Sequence, residues 1–212
     1  RLDGQAVAGG AAHLSAANIA TGSNAVLQGA AAITLDGGTV DSRGALDAGT
    51  DLSVRSQGQL TLAGIAQGGG DVVLEAGAAL DNSAQVVAGR DLQVSAASAV
   101  NRAAGTLAAM GTLDLRVDGL LDNAGRLRGQ NALLLQAGSF QHSGELYAGQ
   151  ALDLHSAGAL DNRGTLIAGG DLRIDAGSLG NSGQLGSETG QVTLSSQGDM
   201  QLGGSVIAAQ AL

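Results

Sequence analysis

The sequence repeats itself about every 20 residues, and this period constrains the fold more than any single motif. Leu160–Ala176 reads LDNRGTLIAGGDLRIDA, and Leu80–Ala96 reads LDNSAQVVAGRDLQVSA. Leu121–Ala137 and Phe140–Ser156 carry the same pattern with changes. A unit this short cannot enclose a core of its own, so its stability must come from stacking on its neighbours.

Three columns of aliphatic residues run through the repeats in register. The third column consists of pairs two residues apart, from Ile33/Leu35 to Val192/Leu194. A spacing of two is the alternation of a β-strand, and helical spacing persists nowhere for three turns. The first column is predicted to contain Ile19, Val40, Leu60, Leu80, Val100, Leu121, Phe140, Leu160, Leu179 and Met200. The second is predicted to contain Leu46, Ile65, Val86, Leu107, Leu127, Leu146, Leu166, Leu185 and Val206.

Turn residues separate the short strands within a repeat, as in Asp161–Gly164, Gly169–Asp171 and Ala176–Ser178. Glycine and Asn suit such corners because they tolerate left-handed backbone conformations, which we expect the corners to require. Three short strands and three corners in about 20 residues describe one coil of a parallel β-helix, with strands about 4.8 Å apart. We therefore predict an all-β parallel β-helix, or solenoid, of about ten coils. It forms one repeat segment across residues 1–212.

The composition agrees with this fold and excludes several classes of protein. The chain has no Pro, which would remove a ladder N–H, and only one Phe and one Tyr. The absence of Cys excludes disulfides, zinc–thiolate sites and cysteine nucleophiles. A net charge of −9 argues against nucleic acid as a partner. Because no run of about 18 apolar residues occurs, we expect no membrane insertion of this segment.

The phrase Leu-Asp-Asn-x-Gly-x-Leu-x-Ala-Gly-x-Asp-Leu-x-Leu-x-Ala resembles the filamentous-haemagglutinin repeat of two-partner-secretion exoproteins. The resemblance covers essentially the whole chain, although Ile19–Gly37 and Leu60–Gly77 lack the Asp-Asn pair. It implies a right-handed β-helical rod, secreted to the surface of a Gram-negative bacterium. Export would proceed unfolded through an outer-membrane two-partner-secretion transporter, a route that a cysteine-free chain suits.

Members of that family include adhesins and the stalks of contact-dependent growth-inhibition toxins. We therefore expect a structural or adhesive rod that attaches to host cells or neighbouring bacteria, or projects a distal toxin domain. Its receptor would be a surface protein or glycan. Neither end of the chain reads as a cap, so we expect the segment to be a fragment of a much longer protein. The repeats alone do not separate an adhesin from a toxin stalk.

Two polar columns are candidate sites. The first is a recurring corner amide, which we expect to satisfy backbone groups of the corner rather than to bind a ligand. Its members are Asn82, Asn123, Asn162 and Asn181. The second column is acidic, and its carboxylates, about 5 Å apart, could hold Ca²⁺ or could each cap the backbone of their own turn. We favour capping and leave calcium open; the members are Asp51, Asp71 and Asp91, with Asp171 later.

The alternative function is a β-helical polysaccharide-binding or polysaccharide-degrading protein. Such an enzyme needs carboxylates clustered with Arg or His on one face, and loops long enough to build a groove. Successive coils differ by only a residue or two, and the Arg residues look scattered. His13, His142 and His155 occupy three different repeat positions, so we expect solvated surface residues. We therefore predict no enzymatic activity, and no catalytic, cofactor-binding or metal-binding residue.

Overall fold

The computed structural model describes residues 1–210, which contain 23 β-strands and no helix. The strands form two parallel sheets that face each other along the whole stack. The first sheet has eleven short strands: β1 (Gln5–Ala8), β3 (Val26–Gly29), β5 (Ala45–Ala48), β8 (Ile65–Gly68), β10 (Gln85–Ala88), β12 (Thr106–Ala109), β14 (Arg126–Gly129), β16 (Glu145–Ala148), β18 (Thr165–Ala168), β20 (Gln184–Ser187) and β23 (Ser205–Ala208). The second has twelve: β2 (Ala12–Thr21), β4 (Ile33–Ser42), β6 (Leu52–Ser56), β7 (Leu60–Leu62), β9 (Val72–Asn82), β11 (Leu92–Asn101), β13 (Leu113–Asn123), β15 (Leu133–His142), β17 (Leu152–Asn162), β19 (Leu172–Asn181), β21 (Val192–Ser196) and β22 (Met200–Leu202).

Each coil pairs in parallel with the coil before it and the coil after it, so the predicted β-solenoid of about ten coils is confirmed. In most coils, two of the three predicted strands run on as one long, bent strand. The bend appears as a shift of register, for example between Ser156 and Ala159 where β17 pairs with β19. In two coils the bend separates two strands, β6 from β7 and β21 from β22.

The space between the two sheets is filled by one continuous aliphatic core. The predicted pairs of the third column are buried from Ile33/Leu35 to Leu172/Ile174, which confirms the column there; in the last predicted pair Val192 is buried and Leu194 is half-buried. Phe140 is fully buried in the first column, between Leu121 and Leu160. Alternation along each strand sends every second side chain into this core and the others to solvent.

Three residues of the predicted core columns are exposed, and at two of them a neighbouring alanine is buried instead. The third, Met200, pairs with Leu179 in the predicted register but is 40% exposed. Val100 is 37% exposed, whereas Ala99 is buried and pairs with Leu121. Ile65 is 48% exposed, whereas its neighbour Ala66 is buried. The sequence pattern favoured the larger side chain at both places, but the narrow core accepts a methyl group, and the register of the strand decides which face a residue occupies.

Glycine is needed at the corners for space rather than for a left-handed backbone. No residue of the described chain, glycine or other, has a positive φ, so that expectation is wrong. A Cβ on Gly164 would overlap the carbonyl oxygen of Gly144, and a Cβ on Gly144 would overlap that of Gly125. The corners therefore stack backbone on backbone, closer than a side chain allows.

As for membrane spans, none of residues 1–210 belongs to a helix that could cross a bilayer.

Candidate functional site

The predicted acidic column caps the backbone of the following coil, not of its own turn. Asp51 Oδ1 accepts a hydrogen bond from the Asp71 N–H at 2.9 Å, and Asp71 Oδ1 accepts one from the Asp91 N–H at 3.2 Å. Asp91 Oδ1 continues the series with the Thr112 N–H at 2.7 Å. Each carboxylate therefore ties one coil to the next, which is a structural role.

Arg90 supplies the positive charge beside this column. Its Nη2 atom lies 3.2 Å from Asp51 Oδ1 and 3.0 Å from Asp71 Oδ2, which offsets the repulsion between the two carboxylates. Asp171 repeats the capping bond further along, accepting the Gln191 N–H at 2.9 Å. Among the described residues, no group of three His, Asp or Glu side chains is arranged to hold a metal ion. These contacts favour capping over calcium binding.

The corner amides form a buried ladder that the sequence identified only in part. Asn82 Nδ2 donates to Asn101 Oδ1 at 2.8 Å, and Asn101 Nδ2 donates to Asn123 Oδ1 at 2.7 Å. Further along, Asn162 Nδ2 donates to Asn181 Oδ1 at 2.7 Å. All five side chains are at most 3% exposed. The sequence pattern does not indicate Asn101, because it puts the neighbouring Val100 in the core, one residue out of register.

The same amides also satisfy the backbone of their corner, as predicted. Asn82 Oδ1 accepts the Ala84 N–H at 3.2 Å, and Asn162 Oδ1 accepts the Gly164 N–H at 3.2 Å. Because these backbone groups lie inside the corner, an unpaired N–H there would be costly. The ladder is therefore part of the solenoid interior and offers no amide row to an outside ligand.

His142 is a buried member of this ladder, so the expectation of a surface residue is wrong for it. It is 1% exposed and pairs with Asn123 on one side and Asn162 on the other. Its Nδ1 atom lies 3.0 Å from Asn123 Nδ2, and its Nε2 atom lies 3.1 Å from the Thr165 carbonyl oxygen. Burial is the main cause that lowers the pKa of this imidazole from its ordinary value.

The other two histidines are exposed, in agreement with the prediction. His13 lies near the start of β2, and His155 lies on β17 with its Nδ1 atom 3.6 Å from Asp175 Oδ2. The expectation that the charged residues are scattered over the surface is wrong around His155. Other charged residues, far apart in the sequence, lie beside it on the surface.

One face of the stack gathers these charges, and we call it the charged face. It consists of the outward residues that alternate with the core pairs on four consecutive long strands, β13, β15, β17 and β19. Arg116, for example, stands beside the buried Leu115 and points the other way. The charged face comprises Asp114, Arg116, Leu134, Gln136, Asp153, His155, Arg173 and Asp175.

Ion pairs order the charged face around an apolar floor. Arg116 Nη2 lies 2.8 Å from Asp114 Oδ2, and Arg173 Nε lies 4.0 Å from Asp153 Oδ1. Leu134 is 39% exposed between the two pairs. A depression of about 270 Å³ opens here, and two more depressions, of about 190 and 260 Å³, are also lined by Arg116.

This arrangement suits recognition of a polar ligand better than catalysis. The depression is open, two of its carboxylates already pair with arginine, and no loop of the described chain closes over it. A catalytic acid or base usually needs burial to tune its pKa, which an open face does not provide. The signal was present in the sequence, because Asp114, Asp153 and Arg173 each stand one residue after a core leucine, at the same position of their repeats.

Comparison with known proteins agrees with the repeat architecture. The family described as haemagglutinin repeat matches residues 4–64, 63–102, 87–144 and 130–204. The chain is 38% identical over 145 residues to the protein named Deoxyribonuclease CdiA from Dickeya dadantii (strain 3937). That alignment covers 67% of this chain and 4% of the relative.

Among solved structures, no significant match was found. The family matches overlap and together span nearly the whole chain, in agreement with the phrase that recurs at Leu80–Ala96 and Leu160–Ala176. The chain therefore belongs to the haemagglutinin repeat family, as a filamentous-haemagglutinin-type repeat region of a two-partner-secretion exoprotein.

Proposed function

We propose that this segment is a rod within a much longer exoprotein, secreted to the surface of a Gram-negative bacterium, where it holds a distal toxin or adhesive domain away from the cell. The observation that carries the proposal is the unbroken stacking of every coil from β1 to β23 in two parallel sheets over one core. A stack joined by hydrogen bonds at each step behaves as a quasi-one-dimensional body whose repeats support only their neighbours.

The buried ladder and the acidic column add stiffness to this stack. The first joins coils from inside, as in the Asn101–Asn123 bond, and the second joins them at a corner, as in the Asp71–Asp91 bond. Both run along the axis of the rod, the ladder from Asn82 to His142 and from Asn162 to Asn181, and the acidic column from Asp51 to Thr112. A spacer with such hydrogen bonds along its axis would bend little between the domains at its two ends.

The relative named a deoxyribonuclease favours a toxin-bearing protein over a plain adhesin. Because the match covers only 4% of that relative, nuclease chemistry would belong to another part of such a protein. We assign no enzymatic role to the rod. Its partner during export would be an outer-membrane transporter of the two-partner-secretion type, which the chain would cross unfolded.

Attachment through the charged face is the second candidate function. The cluster of Arg116, Asp153 and His155 around the exposed Leu134 offers donors, acceptors and an apolar contact to a surface glycan or receptor. Recognition sites commonly combine a few convergent polar groups with apolar lining. In this case the rod itself, and not only a distal domain, would contact the target cell.

Two kinds of variant in the full-length exoprotein separate these functions. Deleting residues 46–65 joins Ala45 to Ala66 and removes one whole coil in register, because Leu46 pairs with Ala66. Deleting only residues 46–55 removes half a coil and breaks the register. If the segment is a rod, the first deletion should leave surface display and toxin delivery intact, and the second should abolish both.

The charged face is tested by a triple change, Arg116→Gln, Asp153→Asn and His155→Gln, which alters only outward side chains. A rod without a binding role should keep both delivery and attachment, counted as bacteria bound per target cell. Loss of attachment with normal surface display would instead establish the charged face as the contact. If the exoprotein that lacks residues 46–65 did not reach the cell surface, the proposed rod function would be contradicted.

A further inference from the structure

The buried ladder has a direction. Each amide donates its Nδ2 hydrogen toward the next coil, from Asn82 to Asn101, from Asn101 to Asn123, and from Asn123 to His142. The start of this run is fixed by the backbone, because Asn82 Oδ1 accepts the Ala84 N–H and Asn82 Nδ2 reaches the Ala84 carbonyl oxygen at 3.3 Å.

The end of the run fixes the protonation state of His142. Since Asn123 Nδ2 is a donor, His142 Nδ1 must accept, and the ring hydrogen must lie on Nε2, where it is donated to the Thr165 carbonyl oxygen at 3.1 Å. The ring is enclosed, and its centroid lies 5.5 Å from that of Phe140. The ladder therefore requires a neutral imidazole in one tautomer.

We propose that His142 is an acid-sensitive joint in the rod, at which a second proton on Nδ1 breaks the ladder and lets the coils around Asn123 and Thr165 open locally. In the protonated ring both nitrogens donate, so Nδ1–H would face the donor Asn123 Nδ2 at 3.0 Å. Two donors in a buried position leave both unsatisfied, which destabilises the closed state.

Turning the amides over does not relieve this conflict. If Asn123 turned its oxygen toward His142, its Nδ2 would face Asn101 Nδ2, and Asn101 would have to turn in response. That change would pass to Asn82, whose oxygen and nitrogen are both held by the backbone of Ala84. The run can therefore reverse only by losing its backbone contacts, and opening at His142 is the alternative.

The charged groups on the surrounding strands do not face His142. β15 has no other titratable side chain, and β18 has none. Those of the neighbouring strands lie on the solvent side of the alternation, where none is buried. They are Asp114, Arg116, Asp118 and Asp122 on β13, Arg126 and Arg128 on β14, Glu145 and Tyr147 on β16, and Asp153, His155 and Asp161 on β17.

The direction of the pH effect follows from linkage. Burial lowers the pKa of His142, whereas in an opened or unfolded chain the group titrates at its ordinary value of about 6.5. Above that pH both states are neutral and His142 adds no pH dependence. Below pH 6.5 the open state binds one more proton than the closed state. The stability of the closed state therefore falls as the pH is lowered, until the pH reaches the lowered pKa.

Hydrogen exchange on the 212-residue chain tests the joint. Between about pH 6.5 and the lowered pKa, the opening constant of amides near Asn123, His142 and Thr165 should rise about tenfold for each unit by which the pH is lowered. This slope corresponds to one proton taken up on opening. Amides near Leu52 should show no such slope. Nitrogen NMR at neutral pH should find His142 protonated on Nε2 only.

His142→Asn is the matched variant, because Asn occupies the same column in the coils on both sides. It should remove the slope, while His155→Asn, at an exposed site, should keep it. A wild-type His142 protonated on Nδ1, or an equal slope in wild type and His142→Asn, would overturn the proposal. Should His142→Asn not fold, the tautomer and the slope measured on wild type decide the matter alone.

Discussion

Asn162 donates its Nδ2 hydrogen to Oδ1 of Asn181 at 2.7 Å, 19 residues further along the chain, and neither side chain is exposed by more than 3%. The same Nδ2 atom lies 3.2 Å from the Gln184 carbonyl oxygen, and Asn162 Oδ1 accepts the Gly164 N–H. The buried amide of Asn162 thus forms hydrogen bonds with three groups, one in its own coil and two in the next.

Replacing this amide tests how much the ladder contributes to stability. Asn162→Leu is of similar size, and Leu62 shows that the column accepts leucine. The change leaves Asn181 Oδ1 without its donor and the Gly164 N–H with only the His142 carbonyl oxygen at 3.2 Å, so we expect the free energy of unfolding in urea to fall by about 1–3 kcal/mol. Asp161→Asn, one residue away and outside, removes only a surface ion pair with Arg163 and should cost less than about 1 kcal/mol. Equal losses would mean that the ladder carries no special stability.

A charge in the aliphatic core should uncouple the coils. Leu92 is fully buried and pairs with Val72 and Leu113, so Leu92→Asp places a carboxylate where no partner is available. We expect a loss of about 4 kcal/mol or more, seen as a large drop in the thermal midpoint. Gln93→Asp, on the outer face, should change the midpoint little. A similar drop in both variants would show that the register of β11 is wrong.

The register around Ile65 can be tested in the same way. Ile65 pairs with Ala45 and Gln85 on the outside, and Ala66 faces the core. Ile65→Gln should therefore leave the unfolding midpoint nearly unchanged, because it repeats the side chain found one coil later. Ala66→Gln forces a polar side chain into a filled space and should cost about 2–4 kcal/mol. A larger loss of stability in Ile65→Gln than in Ala66→Gln would show that Ile65, and not Ala66, faces the core.

Ile65 and Val100 also show where the sequence stops predicting the core. Large aliphatic residues two apart, such as Leu172 and Ile174, can have only one buried arrangement, and the period identified all of these pairs. An alanine beside a larger residue leaves two registers open. At Val100 the bend adds a further uncertainty, because Ala99 follows Leu80 by 19 residues and precedes Leu121 by 22.

The candidate sites depend on the same register. The corner column was predictable where Asn followed Asp, as at Asn82 and Asn162, but Asn101 follows Val100 and was missed. The burial of His142 does not follow from the repeat pattern, since a histidine at a corner is usually solvated. The charged face could not be predicted from composition, because it exists only when outward residues of four coils are stacked.

The acidic column gives a last test, which separates capping from calcium binding. Asp71→Asn keeps an oxygen for the Asp91 N–H but loses the ion pair with Arg90, which is largely exposed. We expect a loss below about 1 kcal/mol that disappears at high salt, because surface pairs are screened. Asp71→Ala also removes the acceptor and should cost about 1 kcal/mol more, independent of salt. Since the Oδ1 atoms already accept backbone hydrogens, neither Ca²⁺ nor a chelator should move the thermal midpoint of the wild type. A rise with Ca²⁺ that Asp71→Asn abolishes would contradict capping and assign the column to the metal.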